Sequence, residues 1–323
     1  MSVARFNFSH VGPFNAQETR EEIRAVKRLR EKLGSGTIVA LDTKGPDVRI
    51  GTFRDKTVTV VAGQMFTFYF GHKYKSMEGD VNGVYVPYDK LLKIVKVGAE
   101  LCLNDGHVVT TIVEMGRDTI VVRVKAGGVL KNRKSLAAPG FDLQLPFISP
   151  EDEEDLILGI EEGVDWVMAS DVNQAKNVTD MRAFLKKHKG ENIKIMAKIE
   201  DQIGLDNLDA ICAVCDSVMV ARGGLGTDIG LDKLPSAQKR IIAAARRAGK
   251  PVVVATEMLE SMTDKPNATR AEANDVANAI WDGANYVMLS GESAAGKFPV
   301  ECVTFMQKVA ADAEAHPEYF RIP

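Results

Sequence analysis

The second half of the chain repeats one pattern five times: a short run of Val, Ile, Met and Ala, followed by a longer stretch with helical spacing. The runs cover residues 166–170, 193–197, 217–221, 252–255 and 286–290. Runs that are apolar at nearly every position read as strands buried on both faces, and helices between them make the pairing parallel. Two further runs, 3–8 and 38–42, lie near the N-terminus. Between them Asn15 and Glu18 form a capping-box pattern, followed by Ile23, Val26, Leu29 and Leu33 at helical spacing. Seven parallel strands are therefore predicted.

The helices carry their own punctuation. Ser149 and Pro150 open one, with five acidic residues, 151–155, at the end where the helix dipole favours negative charge. Ser236 is expected to cap a helix running to Arg247, with Gly249 ending it, and Thr269 to cap the next. Residues 51–145 break the pattern. Segments 57–61, 66–70 and 119–124 are β-branched and aromatic, turns containing glycine separate them, and no long helix intervenes. That segment reads as a small antiparallel β-barrel.

A closed (β/α)8 barrel needs eight strands, and Met1 stands almost on the first of the seven. The expected fold is α/β: a (β/α)8 TIM barrel lacking its first βα unit, with an inserted small antiparallel β-barrel. Residues 1–50 and 146–323 form the barrel and 51–145 the insert. A doubly wound open sheet competes, but it requires a Gly-rich turn after its first strand, and Ser9-His10-Val11-Gly12 is not one.

Composition narrows the function. The 41 basic and 44 acidic residues leave a net charge of −3, which argues against a nucleic-acid binder working by global charge. No apolar run approaches the roughly 20 residues of a membrane span. The start of the chain lacks the basic and apolar regions of a signal peptide, and four cysteines make no disulfide scaffold, so a reducing cytoplasm is expected. Cys212 and Cys215 have redox-motif spacing, but with no Pro or aromatic between the thiols and no second pair they read as structural. The basic positions Lys27, Arg28, Arg30 and Lys32 read as a solvated helix face.

In βα barrels the chemistry clusters at the carboxyl ends of the strands. Those ends carry Arg5, Asn7, Ser9 and His10; Asp42, Thr43, Lys44 and Arg49; Lys198 and Glu200; Arg222, Gly223 and Gly224; Thr256 and Glu257; and Ser290 and Glu292. Arg, Lys and carboxylates at so many strand ends suit a phosphorylated anion with a divalent metal.

Asn7-Phe-Ser9-His10, Asp42-Thr-Lys-Gly-Pro46, Lys198-Ile-Glu200, Ala271-Glu272, Asp275-Val-Ala-Asn278 and Leu289-Ser-Gly-Glu292 occur in an order and spacing that resemble the pyruvate kinase family over nearly the whole chain. The resemblance implies a barrel with a mobile β-rich lid and transfer of a phosphoryl group from phosphoenolpyruvate to ADP, giving pyruvate and ATP. It assigns catalysis to Arg49, Lys198, Thr256 and Ser290. It places Arg5, Gly223, Gly224 and Thr256 at the substrate, and Arg5, His10, Arg133 and Lys134 at the nucleotide. It gives Glu200 to Mg²⁺ (or Mn²⁺), and Asn7, Ser9, Asp42 and the Thr43 carbonyl to K⁺. Asp47 is acidic, as in K⁺-dependent members. It implies a cytoplasmic protein with phosphoenolpyruvate and ADP/ATP as partners, a homo-oligomer through barrel contacts, and neither nucleic acid nor membrane. A C-terminal α/β domain found in the family has no expected counterpart here.

The chain departs from the family at several positions. The family's Arg-Gly-Asp-Leu-Gly reads Arg222-Gly-Gly-Leu-Gly226, and the missing aspartate is the second protein ligand to the metal. Asp-Asp-Gly reads Asn104-Asp-Gly106, and a Phe-hydrophobic-Arg sequence reads Asp171-Val-Asn173. These departures support an alternative reading: a catalytically impaired pseudoenzyme that binds anion or nucleotide.

Overall fold

The computed structural model describes residues 1–10, 16–104 and 106–320, apart from the His10 side chain; the expected capping residue Asn15 and Asp105 lie outside that set. The chain divides into two compact units. One comprises Met1–Gly45, Phe147–Leu225 and Asp232–Pro323; the other comprises Pro46–Pro146 and Gly226–Leu231.

The first unit is built on seven strands: β1 (Val3–Asn7), β2 (Ile38–Asp42), β3 (Trp166–Ala169), β4 (Lys194–Ile199), β5 (Ser217–Ala221), β6 (Val252–Ala255) and β7 (Tyr286–Met288). They pair in chain order, all parallel. Every residue of β3, β5 and β6 is buried, as strands covered on both faces require. The edge strands differ: all three residues of β7 and four of five in β1 are only partly buried. The sheet is curled. Trp166 on β3 and Tyr286 on β7 meet edge to face with ring centroids 6.5 Å apart. Four strand spacings would separate them by roughly 19 Å in a flat sheet. Alternate residues, among them Trp166, Met168, Met219 and Ala221, point into the curl, where Val3 and Met288 from the two edges join the same cluster.

Local signals explain the helices. Pro150–Glu161 begins with a capping box between Ser149 and Asp152, and Arg270–Trp281 with one between Thr269 and Glu272. Ser236 is not a cap. That helix spans Leu234–Arg247, so Ser236 lies inside it, and Pro235 organises its first turn. The basic face of helix Ala16–Leu33 is not simply solvated. Lys27 donates to the carbonyls of Glu162 and Gly163, and Arg30 pairs with Asp165 at 2.6 Å. Cys212 and Cys215 are buried free thiols.

The second unit holds a six-stranded sheet in the order Leu136–Ala137, Glu100–Leu103, Val108–Met115, Thr119–Ala126, Met65–Tyr69, Gly83–Tyr85. Two two-stranded ribbons accompany it. The expectation of a purely antiparallel barrel needs correcting. Met65–Tyr69 and Gly83–Tyr85 run parallel, with Phe68 opposite Val84. The connection between them crosses over through a 3-10 turn, His72–Tyr74, where an antiparallel hairpin would have turned back directly. Gly83 is required at this junction, because a Cβ there would lie 2.3 Å from the Thr67 carbonyl oxygen. Phe66, Phe68, Phe70 and Leu101 are among the side chains filling this unit's own core.

Candidate active site at the strand ends

The register of β1 on β2 sets Asn7 directly opposite Asp42. Asp42 is fully buried, and a buried carboxylate must be paired. Its partners come from strands on either side. Arg5 Nε donates to Oδ2 at 2.6 Å, and Lys198 Nζ donates to Oδ1 at 3.0 Å. Burial alone would raise the Asp42 pKa, but the Lys198 and Arg5 charges outweigh it and hold the carboxyl below its usual range. The same balance runs in reverse for Lys198. Burial would lower its pKa, yet Asp42 and Glu200 together raise it, so the ammonium stays charged. Glu200 Oε1 lies 3.0 Å from Lys198 Nζ.

Ser170, which follows β3, completes the cluster. Its hydroxyl accepts from Lys198 Nζ at 2.7 Å and donates to the Thr43 carbonyl at 2.7 Å, while its N–H donates to Thr43 Oγ1 at 3.0 Å. Lys198 is therefore aimed by three oxygens from three strands. Ser170 was not among the sequence candidates. The only signal for it was its place at a strand end, since its contacts lie 28 and 127 residues away along the chain.

The helix Arg222–Ile229 starts where β5 stops, and its first turn brings Gly223 and Gly224 between neighbouring strand ends. A Cβ at Gly224 would lie 2.6 Å from Glu200 Oε2, and one at Gly223 would lie 3.4 Å from Thr256 Cγ2. Gly224 thus lets the Glu200 carboxylate approach a helix start, an end of a helix that favours anions, while Thr256 sits at ordinary contact distance from Gly223. Thr256 and Glu257 both have left-handed backbones, with φ of 77° and 53°. For a β-branched residue such strain costs about 1–3 kcal/mol and persists only where the surroundings impose it. Arg222 is bonded to this segment. Its Nε donates at 3.0 Å to the carbonyls of Ala255 and Thr256, and its Nη2 donates to the Thr256 carbonyl as well. Its Nη1 is paired with Asp275 at 2.7 Å. Ser290 lies after β7, where its N–H donates to the buried Glu292 at 2.7 Å.

Arg49, Arg133 and Lys134 belong to the second unit. Arg49 pairs with Asp47 at 2.9 Å and donates to the Arg133 carbonyl at 3.2 Å; its side chain is 51% exposed. Arg133 adopts φ of 56°, and the Lys134 carbonyl accepts from Ile50 N–H at 3.0 Å. In the first unit, then, Arg5, Asn7, Asp42, Thr43, Lys198 and Glu200 form one group, and Gly223, Gly224 and Thr256 adjoin it. Ser9 is tied to Asn7 through its N–H, 3.1 Å from Asn7 Oδ1.

The oxygens available to cations fall in two places. Asn7, Asp42 and the Thr43 carbonyl gather at the ends of β1 and β2. Glu200 supplies a carboxylate beside Gly224, and among the described residues no group of three or more His, Cys, Asp or Glu is placed to hold a metal. One carboxylate is enough for a Mg²⁺-like ion only when substrate oxygens and water complete its shell. The donors fit a metal shared with a bound anion, and do not fit a protein-only cage.

Comparison with known proteins agrees with this arrangement. The family described as "Pyruvate kinase, barrel domain" matches residues 1–303. Pyruvate kinase of Bacillus licheniformis is 42% identical over 316 residues, covering 97% of this chain and 53% of the relative. That of Clostridium acetobutylicum is 40% identical, covering 99% and 66%. Human pyruvate kinase PKLR is 41% identical, covering 98% and 56%. The chain spans between about half and two thirds of the length of these curated relatives. A curled parallel α/β sheet with these strand-end residues, matched over residues 1–303, places the chain in the pyruvate kinase barrel-domain family.

Proposed function

We propose that the protein transfers the phosphoryl group of phosphoenolpyruvate to ADP, giving pyruvate and ATP. The observation that carries this reading is Lys198: a buried ammonium kept charged by Asp42 and Glu200, and aimed by Ser170, beside a glycine-opened helix start. Phosphoryl transfer is mostly positioning and charge neutralisation, and a fixed ammonium supplies both. As the bond from phosphorus to the enol oxygen breaks and a β-phosphate oxygen of ADP takes its place, Lys198 and Arg49 neutralise the moving group. Arg5 adds charge on the nucleotide side, with His10, Arg133 and Lys134. The amides of Gly223 and Gly224 receive the substrate carboxylate. The enolate left behind gains a proton at its terminal carbon, with Thr256 beside that carbon and Ser290 in the proton relay.

Mg²⁺ (or Mn²⁺) at Glu200 and K⁺ at Asn7, Ser9, Asp42 and the Thr43 carbonyl would add fixed positive charge around the phosphoryl oxygens. We read residues 1–50 and 146–323 as the barrel domain and 51–145 as the lid. The half-buried edge strands β1 and β7 support that reading, since an eighth strand would cover both. A cytoplasmic enzyme that associates through barrel contacts fits the family. No described helix is long and apolar enough to cross a membrane. Gly224, standing where the family's sequence carries an aspartate, favours a second reading: an impaired relative that binds its anion without turning it over. A coupled assay for pyruvate, with Mg²⁺ titrated at fixed phosphoenolpyruvate and ADP, separates the two. Pyruvate release that saturates with Mg²⁺ is expected. No release at any Mg²⁺ concentration, with phosphoenolpyruvate still bound by calorimetry, would establish the second reading instead.

A further inference from the structure

We infer that Arg222, backed by Asp275, is a positioning residue that holds Thr256 in its left-handed conformation and so directs the threonine side chain at the glycine cradle. Four observations meet here. Thr256 and Glu257 are consecutive non-glycine residues with positive φ, directly after the fully buried strand β6. Both unstrained alternatives, a strand continued or a helix begun, would turn the Thr256 carbonyl and hydroxyl elsewhere. The Thr256 carbonyl accepts from two nitrogens of one guanidinium, Nε at 3.0 Å and Nη2. The third nitrogen of that guanidinium is anchored to Asp275 at 2.7 Å, and the Arg222 side chain is only 12% exposed.

A planar fork with fixed donors is the one side chain able to grip two successive carbonyls, Ala255 and Thr256, and a carboxylate at once. The result is a threonine whose Cγ2 and Oγ1 would lie 3.4 and 3.8 Å from a Cβ at Gly223. Arg222 thus spends its charge on backbone geometry and does not reach for substrate. Lysine, with one point charge, would keep the charge and lose the grip. The functional half of this inference rests on the proposed role of Thr256 beside the enolate carbon.

The test uses the full chain with Arg222→Lys, Arg222→Met and Asp275→Asn. Three readouts are taken: the Thr256 backbone in crystals of each variant, the kcat and KM for pyruvate formation, and the exchange of pyruvate methyl protons with deuterated solvent followed by NMR. In Arg222→Lys and Arg222→Met the Thr256 φ should turn negative. Methyl exchange and kcat should each fall by about 10²-fold, the cost of a misplacement of about 1 Å, while the KM for phosphoenolpyruvate stays within about threefold. Asp275→Asn, which keeps an acceptor for Nη1, should show the smallest change in all three. Thr256 retaining a positive φ in both Arg222 variants would overturn the clamp. So would a KM that rises while kcat and exchange hold. Should the wild-type chain neither exchange methyl protons nor form pyruvate, the proposed reaction fails, and the φ of Thr256 alone then decides the clamp.

Discussion

Lys198 in the sheet unit and Arg49 in the β-rich unit are assigned to the same phosphoryl group, yet the protein holds them by different means. Lys198 is 12% exposed and bonded to Asp42, Ser170 and Glu200. Arg49 is 51% exposed, with Asp47 and one carbonyl as its partners. The buried cation has already lost its rotamer freedom during folding, and the low dielectric around it strengthens each bond. The exposed one is screened and must be ordered each time a ligand arrives. The two proposed roles thus differ in kind, one a fixed charge and the other an adjustable one, and fixed charges contribute most to a transition state.

Substitutions should separate the two modes. Lys198→Met is expected to cut pyruvate formation by about 10³-fold or more, read in the coupled assay, with the melting curve still cooperative. A drop under tenfold would remove the fixed charge from the mechanism. Asp42→Ala leaves Lys198 and Arg5 facing each other without their anion, and should cost about 3–5 kcal/mol in urea unfolding. The wild type offers a parallel check by pH. Asp42 has its folded pKa depressed, so its contribution is present above the unfolded carboxylate value of about 3.9 and is lost as pH falls through the lower folded value. Stability should fall steeply below about pH 4, and Asp42→Ala should flatten that slope. Gly224→Asp displaces the flexible end of Glu200 and adds a carboxylate beside it; Mn²⁺ affinity, measured by EPR, should tighten by about tenfold, on the scale of one added or lost metal-site partner. Asp47→Asn weakens the half-exposed pair with Arg49 and should shift stability by less than about 1 kcal/mol.

How far the sequence alone reaches follows from which forces are local. The strands Ser217–Ala221 and Val252–Ala255 were legible to the residue, because burial on both faces makes them apolar at nearly every position. β7 was shorter than its apolar run, ending at Met288. Capping at Ser149 and Thr269 was legible for the same local reason, whereas at residue 236 the proline beside it took over the helix start. The strand ends could be named from motif and order alone. What Ser170 and Arg222 do there could not, because their bonds reach strands and helices far along the chain. Nor could the parallel pairing of Phe68 with Val84, which depends on how a connecting loop crosses and not on either strand's composition.

One carboxylate at the start of helix Pro150–Glu161 has a consequence of its own. Asp152 accepts from the N–H groups of Lys44 at 2.9 Å and Gly45 at 3.4 Å, and also from Ser149 N–H at 3.4 Å. The chain therefore leaves the sheet unit and rejoins it at points stitched to the same side chain. An excursion of a hundred residues with its two ends fastened together behaves as a cassette. A tight linker joining residues 45 and 147 would then span a distance already closed by one side chain, and the parallel pairing of the seven strands involves no residue of the excursion.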